Sequence, residues 1–371
     1  MKLSIDRAAL LRALNHVQSV VERRNTIPIL SNVLMKAEDG VLSMTATDMD
    51  LEINESVAAS VQSPGAITAP AHTLHDIVRK FPDSAEVTIE LNNEGTQITV
   101  SADRSTFKLS CLPVADFPAL GAGELPAVFS IPAADLRSLI DRTRFAMSTE
   151  ETRYYLNGIY LHEAERDGVA VLRAVATDGH RLARFEMPLP EGAKDMPGII
   201  IPRKAIQELR KLSEDAADTI KISLSESKIR FEFDHIILNS KLIDGKFPDY
   251  QRVIPEGNDK VVECDPKIFT SAIDRVSTIS DGKSRAVKIA MEGKMMTISA
   301  SSAESGSAKE QMEVNGDTTI EIGFNAKYLL DITSQIEGEG CRLTLADAAS
   351  PTIIQDNSDN SALYVLMPLR V

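Results

Sequence analysis

The chain has 371 residues, of which 43% are hydrophobic and 25% charged, a length and balance typical of a folded protein with two or three domains. No apolar run approaches the roughly 20 residues of a bilayer span, no long apolar signal segment opens the chain, and three widely spaced cysteines indicate neither a disulfide framework nor a metal knuckle. We therefore expect a cytoplasmic protein without membrane contact. Its net charge of −14 opposes tight binding of nucleic acid over the whole surface. Because the chain has no tryptophan, we do not expect it to bind single-stranded nucleic acid by stacking aromatic side chains on the bases.

One amphipathic helix is predicted three times, near residues 4–17, 130–143 and 263–276. Aligned without gaps, the copies match at positions four and then three residues apart, as on one face of a helix. The matching sets are Leu10, Leu136 and Phe269; Leu14, Ile140 and Ile273; and Val17, Thr143 and Val276. Each copy has Asp or Pro at its front, as first helical turns prefer. A spacing of about 130 residues indicates one module repeated three times.

Each predicted first helix is followed by two strands joined by a tight turn. The strand pairs are 27–36 and 40–48 around Asp-Gly at 39–40, 155–162 and 172–178 around Asp-Gly at 167–168, and 286–291 and 296–300 around Glu-Gly at 292–293. Asp-Gly is a strong signal for a hairpin turn. The sequence Ala-Thr-Asp ends the second strand at matching places in the first two repeats, at 46–48 and 176–178.

A second helix and further alternating strands complete each repeat. The helices are predicted at 69–80, 201–212 and 324–332, and the strands at 86–91 and 97–100, 219–224 and 228–233, and 342–346 and 351–354. Short turns favour antiparallel pairing, so the sequence predicts three α+β modules, at 1–121, 128–252 and 260–371. Modules of this size are about 35 Å across, so two chains joined head to tail would form a ring of six modules around a hole of about 30 Å, wide enough for a DNA duplex.

Positive charge is predicted to gather on helices, whereas acidic residues prefer strands and loops. In the 203–212 helix, Arg203, Lys204, Arg210 and Lys211 lie opposite the apolar face. Other cationic groups on or beside helices are His72, His75, Arg79 and Lys80; Arg23 and Arg24; and Arg137, Arg142 and Arg144. Such helices would hold a polyanion against one surface of an acidic protein. The alternative is that they are merely solvated faces, and the third repeat, with only Lys327, supports the charged pattern poorly.

Candidate catalytic groups are few. Asp178 and His180 resemble the acid–base pair of a hydrolase, but no nucleophile motif lies nearby, and Asp-Gly at 178–179 more simply forms a turn. His72, His75 and Asp76 have a helical metal-ligand spacing but no further set of ligands. No glycine-rich phosphate loop occurs. We therefore expect a protein that is not an enzyme and needs neither metal nor cofactor.

The C-terminal segment 364–371 is apolar almost to its last residue. One interpretation is a final core strand. The other is a strand whose end forms the wall of a hydrophobic groove, in which the adaptable side chains of Met367 and Leu369 accept short partner peptides.

Four motifs, in order along the threefold repeat, give the chain a specific resemblance to a known family. They are Arg-Tyr-Tyr-Leu-Asn-Gly at 153–158, Ala-Thr-Asp-Gly-His-Arg-Leu at 176–182, Lys-Phe-Pro-Asp-Tyr at 246–250 and Met-Pro-Leu-Arg at 367–370. Over its whole length the chain resembles the bacterial sliding clamps, the beta subunits of the DNA polymerase III holoenzyme. The resemblance implies a ring-shaped, head-to-tail homodimer with antiparallel sheets outside and helices lining a central hole.

The same resemblance implies a processivity factor. An ATP-dependent clamp loader would place it around duplex DNA, where it would hold the replicative polymerase alpha subunit and other proteins with a clamp-binding motif, without reading sequence. The implied DNA-binding residues are Arg24, Arg79, Lys80, Arg203 and Lys204. The implied dimer interface places Phe107 and Leu109 of one protomer against Ile279 of the other.

The resemblance also implies a hydrophobic pocket for partner peptides. Its residues would be Leu156, Thr177, Gly179, His180, Arg181, Leu182, Pro248, Arg252, Val253, Asn325, Tyr328, Val365, Leu366, Met367, Pro368, Leu369 and Arg370. Two positions depart from the family pattern. Ser284 stands where some relatives have a bulky aromatic beside the pocket, and Glu150 stands where some have a neutral DNA-facing residue, so we expect no DNA contact there. The alternative function is a peptide-binding scaffold that does not bind DNA.

Overall fold

The computed structural model describes residues 1–121, 123–214, 218–280 and 285–370. The first repeat contains β1 (Lys2–Asp6), α1 (Arg7–Gln18), β2 (Asn32–Glu38), β3 (Val41–Thr47), β4 (Leu51–Ala58), β5 (Ser60–Ser63), β6 (Gly65–Pro70), α2 (Ala71–Lys80), β7 (Glu86–Leu91), β8 (Gln97–Ala102) and β9 (Ser105–Ser110). The middle repeat contains β10 (Ala127–Pro132), α3 (Ala133–Arg144), β11 (Gly158–Arg166), β12 (Val169–Thr177), β13 (Arg181–Pro188), β14 (Ile199–Pro202), α4 (Arg203–Leu212), β15 (Thr219–Leu224), β16 (Lys228–Phe233) and β17 (Ile236–Lys241). The last contains β18 (Lys260–Cys264), α5 (Pro266–Ser277), β19 (Ala286–Ser302), β20 (Gly306–Asn325), α6 (Ala326–Thr333), β21 (Cys341–Leu345), β22 (Thr352–Asp356) and β23 (Ala362–Leu366). Short 3-10 helices lie at Pro28–Ser31, Val114–Asp116, Glu151–Leu156 and Tyr250–Val253.

The helix that repeats in the sequence forms α1, α3 and α5, and its matched positions are the buried ones. All nine matched side chains are at most 3% exposed. Thr143, the polar member of the set, satisfies its buried hydroxyl by donating to Leu139 O at 2.6 Å. Asp6 and Asp265 cap α1 and α5, accepting from Ala9 N and from the N–H groups of Lys267 and Ile268.

The first two predicted hairpins form as expected. β2 pairs with β3 and β11 with β12, and both Asp-Gly turns have positive φ, 49° and 77° at Asp39 and Gly40, and 51° and 79° at Asp167 and Gly168. The third repeat differs, because the two predicted strands lie in one long strand, β19. Gly293 lies inside it with φ 59°, at the point where its pairing with β20 changes register. Residues 28–31, 155 and 156, which were predicted as strand, belong to 3-10 helices.

Within the described ranges the strands form three sheets, and every strand pair there is antiparallel, as predicted. Their orders are β5-β1-β7-β8-β9, β10-β15-β16-β17-β4-β3-β2-β6 and β14-β11-β12-β13-β23-β22-β21-β18-β20-β19. The first two sheets lie in one compact unit (residues 1–136, 190–193 and 204–242), and the third lies in the second compact unit (137–189, 194–203 and 243–371). Sheets therefore continue from one sequence repeat into the next, through β4 with β17 and β13 with β23.

Two cysteines that are far apart in the sequence lie opposite each other in the fold. Cys264 on β18 and Cys341 on β21 are direct cross-strand partners, and both are buried and free. The hydrogen bond with Cys341, followed by burial, raises the pKa of the Cys264 thiol. No helix in the described ranges is long and apolar enough to cross a membrane.

Candidate peptide and DNA contact sites

The motif at 176–182 forms a tight turn between β12 and β13. Thr177 Oγ1 donates to Arg181 O at 2.7 Å and accepts from Gly179 N at 3.1 Å. Asp178 Oδ1 accepts from the N–H groups of His180 and Arg181, at 2.9 and 3.0 Å. The Asp178 carboxylate is thus occupied by the backbone of its own turn, so the structure favours the turn over the acid–base pair considered for Asp178 and His180.

Arg181 is the electrostatic centre of this region, with a side chain that is only 7% exposed. Its guanidinium donates to Asp178 Oδ2 at 3.1 Å, to Asp331 Oδ2 at 2.5 Å and to Phe145 O at 2.5 Å. It also lies 4.3 Å from the centre of the Tyr328 ring. The two carboxylates neutralise the buried cation, and these bonds link β13 to α6.

An apolar cluster lies beside this turn in the same compact unit. Its buried members are Leu156, Val175, Leu182, Ile200, Phe247, Tyr250, Leu363 and Val365. Three of them, Leu156, Leu182 and Val365, were expected in the peptide pocket. Phe247 stacks on Tyr160, with ring centres 4.9 Å apart and planes 8° apart. We call this buried cluster the apolar floor.

Several other expected pocket residues lie on exposed segments joined to this floor. The 3-10 helix Tyr250–Val253 carries Arg252 and Val253, both exposed, and Pro248 precedes it. Beyond β23, Met367 is 40% exposed. Met367 N donates to His180 O at 2.9 Å and Leu369 N to Gly323 O at 2.8 Å, so backbone bonds hold the C-terminal segment in place.

The C-terminal segment contains the final core strand that one interpretation of its sequence predicted, whereas its role as the wall of a peptide groove stays a prediction. Residues up to Leu366 form the buried strand β23, and the segment from Met367 to Arg370 lies at or near the surface. Asn325 caps α6 by accepting from Tyr328 N at 3.3 Å, a structural role that the sequence resemblance did not indicate. Burial raises the pKa of the Tyr328 hydroxyl.

A buried polar network beneath the floor was missed in the sequence. Arg173 Nε donates to Glu186 Oε1 at 2.6 Å, and Arg173 Nη1 donates to Tyr250 Oη at 2.9 Å. His162 Nδ1 donates to Glu163 O at 2.7 Å, so its Nε2 accepts from the Tyr250 hydroxyl at 3.0 Å. Burial lowers the pKa of His162 and so favours this neutral form. The one sequence signal that pointed to this network is that Tyr250 is the last residue of the motif at 246–250.

The two departures from the family pattern have different outcomes. Glu150 forms an ion pair with Arg153, whose hydrogen bond lowers the pKa of the Glu150 carboxyl. Arg153 lies against Gly179, where an added Cβ would be 2.6 Å from its Nη1. Ser284 lies outside the described residues.

The cationic residues of the first compact unit are exposed to different degrees. Arg24 is exposed on the segment after α1, and Lys80 is exposed in the last turn of α2, where Arg79 pairs with Asp76 at 3.4 Å. Lys204 is half-buried, and its Nζ donates to Asp48 Oδ2 at 2.5 Å, to Glu22 Oε1 at 2.9 Å and to Val20 O at 3.3 Å. In the second compact unit, Arg203 Nη1 donates to Ser148 O at 3.5 Å.

Other members of the predicted cationic pattern are not free surface charges. Arg142 is buried and pairs with Glu337 at 3.1 Å and Asp359 at 3.2 Å, so its place in that pattern was wrong. On α4, Lys211 pairs with Glu208 and Arg210 with Glu214. Counting the Arg and Lys residues of these helices without their acidic partners therefore overstated the positive charge that the helices present.

His72 and His75 join α2 to α1. His72 contacts Gln18 Oε1 at 3.0 Å and Val21 O at 2.9 Å, and His75 Nε2 contacts Asn15 Oδ1 at 2.6 Å. These bonds account for the helical spacing that resembled a metal site. No group of three or more potential metal ligands occurs among the residues that the structure describes.

The expected dimer residues lie near exposed edges. Phe107 is 40% exposed on β9, an edge strand of the five-stranded sheet, with its ring 5.8 Å from that of Phe81. Leu109 on the same strand and Ile279 after α5 are partly exposed. An edge strand with an exposed aromatic residue favours pairing with another chain.

Comparison with known proteins agrees with this architecture along the whole chain. Three family models match consecutive ranges: the N-terminal domain of the DNA polymerase III beta subunit over residues 1–121, its central domain over 130–249 and its C-terminal domain over 251–370. The chain is 53% identical to a Beta sliding clamp of Caulobacter vibrioides and 38% identical to that of Escherichia coli K12, with 100% of each chain covered.

Solved structures show the same likeness. A Caulobacter crescentus beta sliding clamp superposes with a TM-score of 0.98 at 53% identity, covering 100% of this chain and 99% of that one. A sliding clamp (DNA polymerase III subunit beta) of Bartonella birtlesii bound to griselimycin gives 0.97 at 47% identity, with 100% of both chains covered. The chain therefore belongs to the DNA polymerase III beta subunit family, the bacterial sliding clamps.

Proposed function

We propose that this non-catalytic clamp subunit works as a head-to-tail homodimeric ring that encircles duplex DNA and tethers the replicative polymerase to it. Each chain contributes three domains to the ring, at residues 1–121, 128–252 and 260–371. An ATP-dependent clamp loader opens and closes the ring. Binding is independent of sequence, since the contacts go to phosphates and not to base edges. We expect the protein in the cytoplasm, together with the replication machinery.

The observation that carries the tethering role is the apolar floor joined to exposed segments. Eight buried side chains form the floor, and Val253 and Met367, 49% and 40% exposed, lie on segments that continue from it. Exposed apolar groups beside a preformed apolar surface are typical of peptide docking. We propose that this pocket binds the polymerase alpha subunit, the clamp loader and other proteins with a clamp-binding motif.

DNA encirclement is supported by the contrast between local and total charge. The chain carries a net charge of −14, yet Arg24, Arg79 and Lys80 present exposed cations on one compact unit. We propose that these residues, with Arg203 and Lys204, contact phosphates. An acidic exterior then repels DNA from unproductive surfaces.

Retention on DNA of different topology tests the proposal. The protein is loaded with clamp loader and ATP onto nicked circular plasmid, and bound protein is measured before and after one cut linearises the plasmid. A ring stays on the circle and slides off the linear form. Arg24→Glu slows loading because it reverses one phosphate contact. A peptide scaffold without DNA function would show no retention on either form.

A further inference from the structure

The Thr-Asp turn of the peptide pocket occurs a second time, between β3 and β4, with the same hydrogen bonds. Thr47 Oγ1 donates to Leu51 O at 2.9 Å, matching Thr177 in the pocket. Asp48 Oδ1 accepts from the N–H groups of Asp50 and Leu51 at 2.9 and 2.7 Å. Two backbone donors thus fix the Asp48 carboxylate in place, as they do for its counterpart in the pocket.

Both copies of the turn direct the remaining carboxylate oxygen at a cation. In the pocket, Asp178 Oδ2 accepts from Arg181. In the first compact unit, Asp48 Oδ2 accepts from Lys204 Nζ at 2.5 Å. The repeated element is therefore a turn that holds a cationic side chain, and the structure shows what the first copy holds.

Lys204 is held from three sides. Besides Asp48, its ammonium group donates to Glu22 Oε1 at 2.9 Å and to Val20 O at 3.3 Å, which uses all three of its N–H donors. Asp48 is 16% exposed and Glu22 is 60% exposed, so the Asp48 bond is the less screened of the two ion pairs. Burial lowers the pKa of Lys204, but the bonds to Asp48 and Glu22 outweigh it, and the pKa is raised overall.

We propose that Asp48, with Glu22, sets the strength of DNA binding by competing with phosphate for Lys204. The inference rests on the proposed contact between Lys204 and phosphate. It adds a role for two acidic residues, Asp48 and Glu22, that the phosphate contact alone does not assign to them. A phosphate that reaches Lys204 must replace a carboxylate that the turn already holds in place. Lys204 exchanges one anion, a carboxylate, for another, a phosphate, so the net gain in DNA-binding free energy is small.

Arg24 provides the internal contrast. It is exposed, and within the part of the chain that the structure describes it forms no ion pair. Contact with phosphate therefore costs Arg24 no existing bond. The proposed surface thus combines an uncompensated cation, Arg24, with compensated cations such as Lys204. Weak, exchangeable phosphate contacts of the second kind suit movement along DNA.

A double-mutant cycle tests the competition directly. Asp48→Asn, Lys204→Ala and the double variant are compared by fluorescence anisotropy with a short labelled duplex, over a series of salt concentrations. Asn keeps the Oδ1 acceptor of the turn and removes the charge. With Lys204 freed, we expect Asp48→Asn to bind the duplex about fivefold more tightly and the salt slope to steepen by about 0.9, the value of one added phosphate contact. In the Lys204→Ala background the same substitution should give no gain.

Two further variants separate the competing explanations. Glu86→Gln removes one exposed negative charge from β7, a strand that contributes none of the three hydrogen bonds of Lys204, and measures the effect of net charge alone. Glu22→Gln removes the charge of the second carboxylate that binds Lys204. It replaces Asp48→Asn as the test of competition if Asp48→Asn lowers the melting temperature of the protein. A gain that persists without Lys204, or an equal gain from Glu86→Gln, overturns the competition.

The failure of this inference can be distinguished from that of the proposed function. If Asp48→Asn gives no gain in duplex affinity while Arg24→Ala binds more weakly, the inference is wrong and the DNA surface stands. If neither substitution changes duplex binding, both are wrong.

Discussion

Gly179 and Met49 occupy the same place in the two Thr-Asp turns, and both have positive φ, 88° and 78°. Only glycine adopts this conformation without steric cost, whereas a residue with a Cβ is strained by about 1–2 kcal/mol. Met49 tolerates the strain in open surroundings, with its side chain 46% exposed. At Gly179 an added Cβ would lie 2.6 Å from Nη1 of Arg153, so that side chain would have to move.

We expect Gly179→Ala to destabilise the protein by about 1–2 kcal/mol and to weaken peptide binding. The new Cβ is strained by the backbone and collides with the Arg153 guanidinium. Chemical denaturation and peptide titration measure the two effects. Gly257→Ala is the matched control, since a Cβ there meets nothing within 4 Å. Equal stability of the two variants would refute the argument.

Met367 supplies a second prediction at this scale. Met367→Ala removes an adaptable apolar side chain from the proposed pocket, so we expect peptides derived from the polymerase to bind at least about tenfold more weakly, with the dimer intact. Calorimetric titration measures the affinity, and sedimentation the dimer. Val169→Ala removes a side chain that is 62% exposed outside the proposed pocket and should change neither. Unchanged affinity of Met367→Ala would remove the pocket assignment.

Among the structural elements, the 3-10 helix Tyr250–Val253 depends on a single buried hydroxyl. The Tyr250 ring lies in the apolar floor, and its hydroxyl accepts from Arg173 and donates to His162. This one side chain therefore fixes the segment that carries Arg252 and Val253 to β11 and β12. This segment belongs to the proposed pocket, so the position of the pocket residues Arg252 and Val253 depends on the contacts of Tyr250.

We expect Tyr250→Phe to destabilise the protein by about 1–3 kcal/mol, because the buried Arg173 loses one hydrogen-bond acceptor and the partly buried His162 loses its donor. Peptide affinity should fall as well, since the segment with Arg252 and Val253 loses the hydrogen bonds that connect it to β11 and β12. Thermal and chemical denaturation give the first result and peptide titration the second. Tyr154→Phe, at a tyrosine that is 53% exposed, should stay within about 0.5 kcal/mol of the unaltered protein.

How much of an element the sequence predicts depends on whether its cause is local. The faces of α1, α3 and α5 were predictable because apolar spacing alone decides which side is buried, and the Asp-Gly turns because the two residues themselves favour positive φ. The bond from Arg181 to Asp331 and that from Lys204 to Asp48 join residues about 150 apart in the sequence. Such pairs depend on sheet register and helix packing, which no local pattern encodes. For the same reason, Arg142 looked like a surface charge.

At the scale of the whole molecule, the proposed dimer depends on an exposed sheet edge. β9 ends the five-stranded sheet and exposes Phe107, while the chain as a whole carries a net charge of −14. Net charge keeps like molecules apart, so assembly needs a specific apolar contact to overcome the repulsion. Phe107 is the most exposed apolar side chain on that edge.

We expect Phe107→Asp to convert the dimer to monomers, because a charge buried against an apolar partner surface is not compensated. Sedimentation velocity distinguishes the two states. Val128→Asp adds the same charge at a valine that is 44% exposed on β10, and should leave the dimer unchanged. A dimer that persists with Asp at 107 would contradict the proposed interface.

The pairing of β4 with β17 also determines the order of events during synthesis. Glu55 on β4 has Ile236 as its partner, about 180 residues later in the chain. At ribosomal rates of about 5–20 residues per second, β4 emerges some 10–40 s before its partner strand. A ribosome that stalls in between leaves a nascent chain with an unprotected strand edge, so chaperone demand should be greatest in that interval.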